Sequence, residues 1–213
     1  MGKIAQGILG GLSGKVGNII GGSWKGIDYI RIKPSSVANP RTVGQVNQRN
    51  KFTATLEFLQ PNKEFINVGY KSLAIKKTAF NAAMSEILGN AITGTAPNFT
   101  VDYPNVLVSK GSLKGILNPS FDSATSGQVT LNWSDNSSEI NANNDDRLMT
   151  LIYNPDKKES VVKLIGSSRS IAAQMIAIPS NFSGDTIHVY TAFISADGKS
   201  ISNSSYVGSD TAA

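Results

Sequence analysis

The sequence predicts an α+β, mainly β fold laid out as three consecutive regions: a glycine-rich β arm, a small helical segment and a carboxy-terminal β-sandwich. Three observations predict it. Glycines crowd the first 40 residues, apolar residues recur every three or four positions between about 41 and 92, and alternating β-runs bounded by turn residues fill 98–208. Composition agrees. Of 213 residues, 40% are apolar and only 16% are charged, against about 25% charged in an ordinary soluble domain. Glycine (20 residues), Ser, Thr and Asn fill the difference, as expected of strands joined by turns. The expected division is 1–97, arm plus helices, and 98–213, the sandwich.

In the arm, glycines at 2, 7, 10, 11, 14, 17, 21, 22 and 26 leave two β-prone pieces, Val16 to Ile20 and Tyr29 to Lys33. Ile30 and Ile32 share one face of the second piece, and Tyr29, Arg31 and Lys33 share the other. Lys25-Gly26 reads as the hairpin turn between them. Glycine weakens an isolated strand but lets another backbone approach, so the arm is expected to be ordered by packing on its own chain or on a neighbour.

The period changes after Asn39-Pro40-Arg41-Thr42, a turn with Thr42 as a helix N-cap. Val46, Arg49, Phe52, Leu56 and Leu59 then define one face of a helix that Pro61 ends. A further helix is expected from Thr78 to Leu88, with Phe80, Met84 and Ile87 on one face and Gly89-Asn90 as its stop. Phe65 to Leu73 fits neither period cleanly.

From about 98 onward the pattern is β. Val129, Leu131 and Trp133 alternate with Gln128, Thr130 and Asn132, and further runs cover 147–153, 161–165, 171–178, 187–194 and 200–207. Asn154-Pro155-Asp156, Pro179-Ser180-Asn181, Ser183-Gly184-Asp185 and Asp197-Gly198 mark the turns. The Trp133 strand, the Ile187-His188-Val189-Tyr190 run and the Asp197-Gly198 hairpin together resemble the fibronectin type III and immunoglobulin-like sandwich.

A second set of landmarks spans the chain. It comprises Gly7-Ile8-Leu9-Gly10-Gly11-Leu12-Ser13-Gly14-Lys15-Val16-Gly17, Trp24-Lys25-Gly26, and Asn39-Pro40-Arg41-Thr42 with Gln45 and Arg49. Ala91-Ile92-Thr93-Gly94-Thr95 and Pro97-Asn98-Phe99-Thr100-Val101-Asp102-Tyr103 complete it. The set resembles a family of uncharacterised proteins of bacterial genomes and prophages with a glycine-rich amino terminus and a β-rich carboxy terminus. The resemblance implies this fold order and carries over no activity and no site.

Chemistry is sparse. The chain has no cysteine, which excludes disulfides, thiolate metal sites and cysteine nucleophiles, and one histidine, His188, on which any histidine-based triad would depend. As a lone residue in a β-run, His188 is expected to be structural. Gly14-Lys15 lacks both the earlier glycine and the following Ser/Thr of a phosphate loop, since Leu9 and Val16 stand there. The oxygen-rich stretch 135–146 lacks the central Gly and spaced Glu of an EF-hand and reads as a solvated loop, with calcium left open. Acceptor patterns for glycosylation at Asn98, Asn132, Asn136, Asn181 and Asn203 are expected by chance in so Asn- and Ser-rich a chain. No catalytic, cofactor or metal residue is assigned, and no enzymatic role is expected.

Charge is unevenly spread: residues 1–100 carry +8 and residues 101–213 carry −3, within a net +5 and a pI of about 9.4. The basic residues are scattered singly, which favours meeting an acidic protein surface over nucleic acid. Trp24, Tyr29 and Arg31 are residue types enriched at protein interfaces, and with Arg41 and Arg49 they are the expected interface set. No signal peptide or membrane span is read from the sequence. The functional expectation is a structural or assembly protein, a phage or prophage virion component found in the particle or in the cytoplasm of the producing bacterium, with itself or other subunits as partners. The alternatives are nucleic-acid binding through the basic half, and a surface adhesin or carbohydrate-binding module.

Overall fold

The computed structural model describes residues 3–4, 11–24, 26–36 and 41–213, and its contacts separate Met1–Thr42 from Val43–Ala213. The first unit is an antiparallel meander of β1 (Lys3–Ile4), β2 (Leu12–Val16), β3 (Ile19–Trp24) and β4 (Ile27–Ile32), hydrogen-bonded in that order. Val16 to Ile20, expected as one β piece, instead spans a hairpin turn. Gly17 at φ +56° and Asn18 reverse the chain, and Val16 pairs with Ile19 across it. Gly26, at φ +83°, sits in the expected turn before β4, whereas Lys25 and Asn39-Pro40 lie outside the described residues.

The second unit begins with three helices, α1 (Val43–Leu59), α2 (Lys63–Gly69) and α3 (Ala79–Asn90), followed by a hairpin of β5 (Ile92–Thr95) and β6 (Asn98–Val101). Pro61 follows α1 closely, and α3 is capped where its backbone needs it, with Asn81 N donating to Thr78 Oγ1 at 3.1 Å. The ambiguous stretch resolves into α2 and a short 3-10 turn at Lys71–Leu73.

Seven strands then form two antiparallel sheets: β7 (Leu117–Asp122), β8 (Gln128–Ser134), β9 (Arg147–Asn154), β10 (Glu159–Lys163), β11 (Ala173–Ala177), β12 (Thr186–Ile194) and β13 (Ser205–Thr211). The orders are β11-β8-β7 and β10-β9-β12-β13. Between the sheets lies a core of Val129, Leu131, Trp133, Leu148, Ile152, Ile176, Ile187, Val189 and Phe193. The mainly β fold with helices and a fibronectin III-like sandwich is the one the sequence predicts.

The four-stranded sheet is covered on its other face as well. Met149, Leu151 and Tyr153 of β9, with Tyr190 and Ala192 of β12, share a second core with Phe58, Leu59, Phe65, Ile66, Tyr70 and Ile87 of the helical segment. The Phe58 ring meets Tyr153 edge-on with centroids 5.0 Å apart. The helices, grouped by sequence with the arm over 1–97, therefore share a core with strands of 98–213, and the layers run helices, four strands, three strands. Alternation makes this possible: odd positions of β9 face the helices and even positions face the sandwich interior.

Candidate functional site

The strand register of the first unit sorts its side chains into two faces. Trp24 pairs with Ile27, Gly22 with Tyr29, and Ile20 with Arg31, which puts Ile20, Trp24, Ile27, Tyr29 and Arg31 on one face, with Lys15 opposite Ile20. Ile19 pairs with Ile32 and Val16, and Gly21 with Ile30, so Val16, Ile19, Ile30 and Ile32 occupy the other. Both faces are exposed: Trp24 is 64%, Ile27 66%, Ile30 65% and Ile32 78% accessible. Among the described residues of this unit no helix covers either face, and only the Gly11–Leu12 end of β2 lies over one, against Gly21 and Asp28. A sheet with apolar side chains on both sides gains little from folding alone, and such patches mark contact surfaces.

Two glycines allow close approach within this unit: β2 bends at Gly14 (φ +96°), and its Leu12 end lies against Gly21. A Cβ at Gly21 would fall within the Leu12 backbone carbonyl, and one at Gly22 would come within 3.1 Å of the Tyr29 ring, which lies over it. Gly21→Val is therefore expected to remove hydrogen-exchange protection from residues 12–32 while leaving the melting of 43–213 unchanged. Retained protection in the arm would contradict the assigned β2–β3 register.

Trp24, Tyr29 and Arg31 are thus brought together on one face by the pairing of β3 with β4. Trp24 and Tyr29, expected in an interface, are exposed within the chain. Arg41 is exposed just before α1, and Arg49 belongs to the second unit, on the flank of α1 that carries Gln45, Gln48 and Phe52. Phe52, expected on the buried face of α1, is 47% exposed, because only the carboxy-terminal half of that helix contributes fully buried residues, Thr55, Phe58 and Leu59.

The remaining sequence motifs are occupied by structure. Gly14-Lys15 sits within β2. In 135–146, Asp146 bonds Arg169 through Oδ2 at 3.0 and 3.2 Å and accepts from Asn143 N at 2.9 Å, Asn136 Oδ1 accepts from Arg169 at 2.7 Å, and Asp135 accepts from Ser137 N. Among the described residues no group of three His, Cys, Asp or Glu is placed to hold a metal ion, and no helix is long and apolar enough to cross a membrane.

His188 stands on the helix-facing side of β12. Its Nδ1 lies 2.9 Å from the Tyr206 hydroxyl, and its ring packs on Tyr103 at 4.0 Å between centroids. Burial holds the imidazole below its ordinary value, against a smaller upward pull from Asp156. The unfolded chain then binds its proton first as pH falls, so this residue costs stability once pH drops below the unfolded value near 6.5. Wild type should lose more melting temperature than His188→Phe between about pH 7.5 and about pH 5.5. Equal losses would contradict the assignment.

Sequence reasoning did not find a cleft of about 150 Å³ lined by Glu57, Phe58, Phe99, Tyr103, Tyr153 and Lys158. Its walls come from α1, β6 and the β9–β10 turn, which lie far apart in sequence. Burial, with Tyr103 and Glu57 nearby, raises the Tyr153 phenol well above its ordinary value. Lys158 Nζ bridges to Glu57 Oε2 at 2.9 Å at the cleft.

A family model described as "Family of unknown function (DUF6266)" matches residues 11–208. No curated protein matches the chain. Among solved structures, the solution structure of the fn3 domain of human collagen alpha-1(XX) chain is similar at 15% identity, covering 49% of this chain and 91% of that one, with a TM-score of 0.34.

Proposed function

The chain belongs to a family of unknown function, DUF6266, and from its own surfaces we propose that it is a non-enzymatic assembly protein whose amino-terminal sheet joins it to other subunits. One observation carries the reading. Val16, Ile19, Trp24, Ile27, Tyr29, Ile30 and Ile32 are exposed on the two faces of the amino-terminal sheet, whereas the second unit has two closed cores of its own. Burying a side chain of this size contributes about 1.5–3 kcal/mol, so covering both faces would supply most of what a stable contact needs. The basic balance of the first 100 residues and the acidic balance of the rest suit contacts between copies or with an acidic subunit. The assembly in which we place it is a phage or prophage particle.

Light scattering after size exclusion tests the reading. The full chain should run as an oligomer, and a chain starting at Pro34 as a monomer with the same melting transition for the sandwich. Trp24→Ala should weaken assembly by more than about 2 kcal/mol, the cost typical of truncating a central aromatic anchor. A monomeric full chain, or a truncated chain that assembles equally well, would overturn the proposal. Mass spectrometry of purified particles tests the placement, which fails if the chain is absent from them.

A further inference from the structure

β4 is an edge strand, and its backbone states which residues are available for pairing. Lys33 N donates to Asn18 O at 2.7 Å, continuing the β3–β4 register in which Ile19 pairs with Ile32. In an antiparallel ladder the N–H and C=O of one residue point to the same side, and successive residues alternate. Lys33, Arg31, Tyr29 and Ile27 therefore turn their backbone groups toward β3. Asp28, Ile30 and Ile32 turn theirs outward, where β4 ends the sheet order. All six residues of the strand are exposed, and among them there is no proline or bulge of the kind that blunts an edge.

We infer that this edge takes the β4 strand of a second copy, antiparallel about a two-fold axis through Ile30, and so joins two four-stranded sheets into one of eight. The inference rests on the assembly reading above and names its partner. A two-fold axis normal to the sheet keeps each face on its own side, so only even-with-even or odd-with-odd pairings are allowed. Centring on Ile30 brings all three outward residues into hydrogen-bonded pairs: Ile30 with Ile30, and Asp28 with Ile32 twice. Centring on Tyr29 loses a pair, because Ile32 would then face Gly26, a turn residue at φ +83°. Centring on Arg31 loses one too, because Asp28 would then face Pro34, which has no N–H.

Side chains favour the same register. Tyr29 comes opposite Arg31 of the other copy on both sides of the axis, a cation–aromatic pair, and Ile30 meets Ile30 on the opposite face. The aromatic, basic face of one sheet thereby continues into that of the other.

The absence of cysteine from the chain makes the test direct, since a single introduced thiol can form a disulfide only with another molecule. Ile30→Cys should be trapped as a covalent dimer by mild oxidation or by a short bis-maleimide linker, because paired Cα atoms lie about 5.5 Å apart. Ile32→Cys should not, since its two copies would sit four residues apart in register, on the order of 13 Å. Ile30→Pro removes only an outward N–H, so it should abolish the dimer while hydrogen exchange in β2–β4 stays protected. If the full chain assembles through the arm but Ile30→Cys gives no covalent dimer, or Ile30→Pro still dimerises, the edge pairing is wrong and the assembly reading stands. A full chain that is monomeric at all concentrations overturns both.

Discussion

A fragment of residues 98–213 is expected to aggregate or unfold at temperatures where a 43–213 fragment remains folded. Removing the helices strips the cover from Met149, Leu151, Tyr153, Tyr190 and Ala192, all buried on one face of the central sheet. The four larger side chains among them represent on the order of 10 kcal/mol of burial at about 1.5–3 kcal/mol each. That is comparable with the entire stability of an ordinary domain, about 5–15 kcal/mol. Two anchoring contacts go as well: Tyr190 Oη donating to the Tyr103 carbonyl at 2.9 Å would keep its partner, but Ser160 Oγ to Pro61 O at 2.7 Å and Lys158 to Glu57 would not. Binding of a hydrophobic dye and the loss of a cooperative melt are the readouts. A 98–213 fragment that melts like 43–213 would show that the helical layer is dispensable.

Arg169→Ala is the single substitution expected to cost most. Arg169 and Asp146 are both fully buried and pair at 3.0 Å. The guanidinium also donates to the carbonyls of Lys114 and Gly115 and to Asn136 Oδ1, and its face lies 3.8 Å from the Phe193 ring centroid. The Arg169 carbonyl accepts from Trp133 Nε1 at 2.8 Å, which ties the network to the sandwich core. Removing one partner of a buried ion pair leaves the other charged and unsolvated, at a cost of about 3–5 kcal/mol. For a unit of this size that corresponds to roughly 6–20 °C in melting temperature. Arg169→Lys should recover little, since an ammonium cannot reach four acceptors arranged around a fork. Arg169→Met with Asp146→Leu should recover only part of the loss, because the Lys114 and Gly115 carbonyls, Asn136 Oδ1 and the Asn143 N–H lose these partners along with the ion pair. A single Arg169→Ala that melts within about 2 °C of wild type would contradict the role assigned to this network.

Much of the fold was legible because it is local. The three- and four-residue spacing of Val46 through Leu59, the Thr78 cap and the alternation through Val129, Leu131 and Trp133 each depend on neighbours within one element. So does the sharing of one face by Tyr29 and Arg31, whereas Trp24 joins them only through the pairing of β3 with β4, and sequence reasoning misses the turn at Gly17. Arg169 gave no local signal: it stands at the end of Ser167-Ser168-Arg169 like any surface arginine, and only its partners from 114–115, 136 and 146 show it to be buried.

The division between the two levels follows from what periodicity can encode. From the sequence alone come the strand and helix types, the poverty of cysteine and histidine chemistry, the glycine-rich arm and its interface candidates. A repeat of two or three-and-a-half residues states which side of an element is apolar, and it is silent about which element will cover that side. The runs Leu148–Tyr153 and Ile187–Phe193 contain apolar residues on both faces, yet only the folded chain shows that helices cover one face and a sheet the other. The outward direction of Asp28, Ile30 and Ile32 is likewise decided by one ladder bond from Lys33 to Asn18, because the side on which a strand finds its first partner determines the side left for a second.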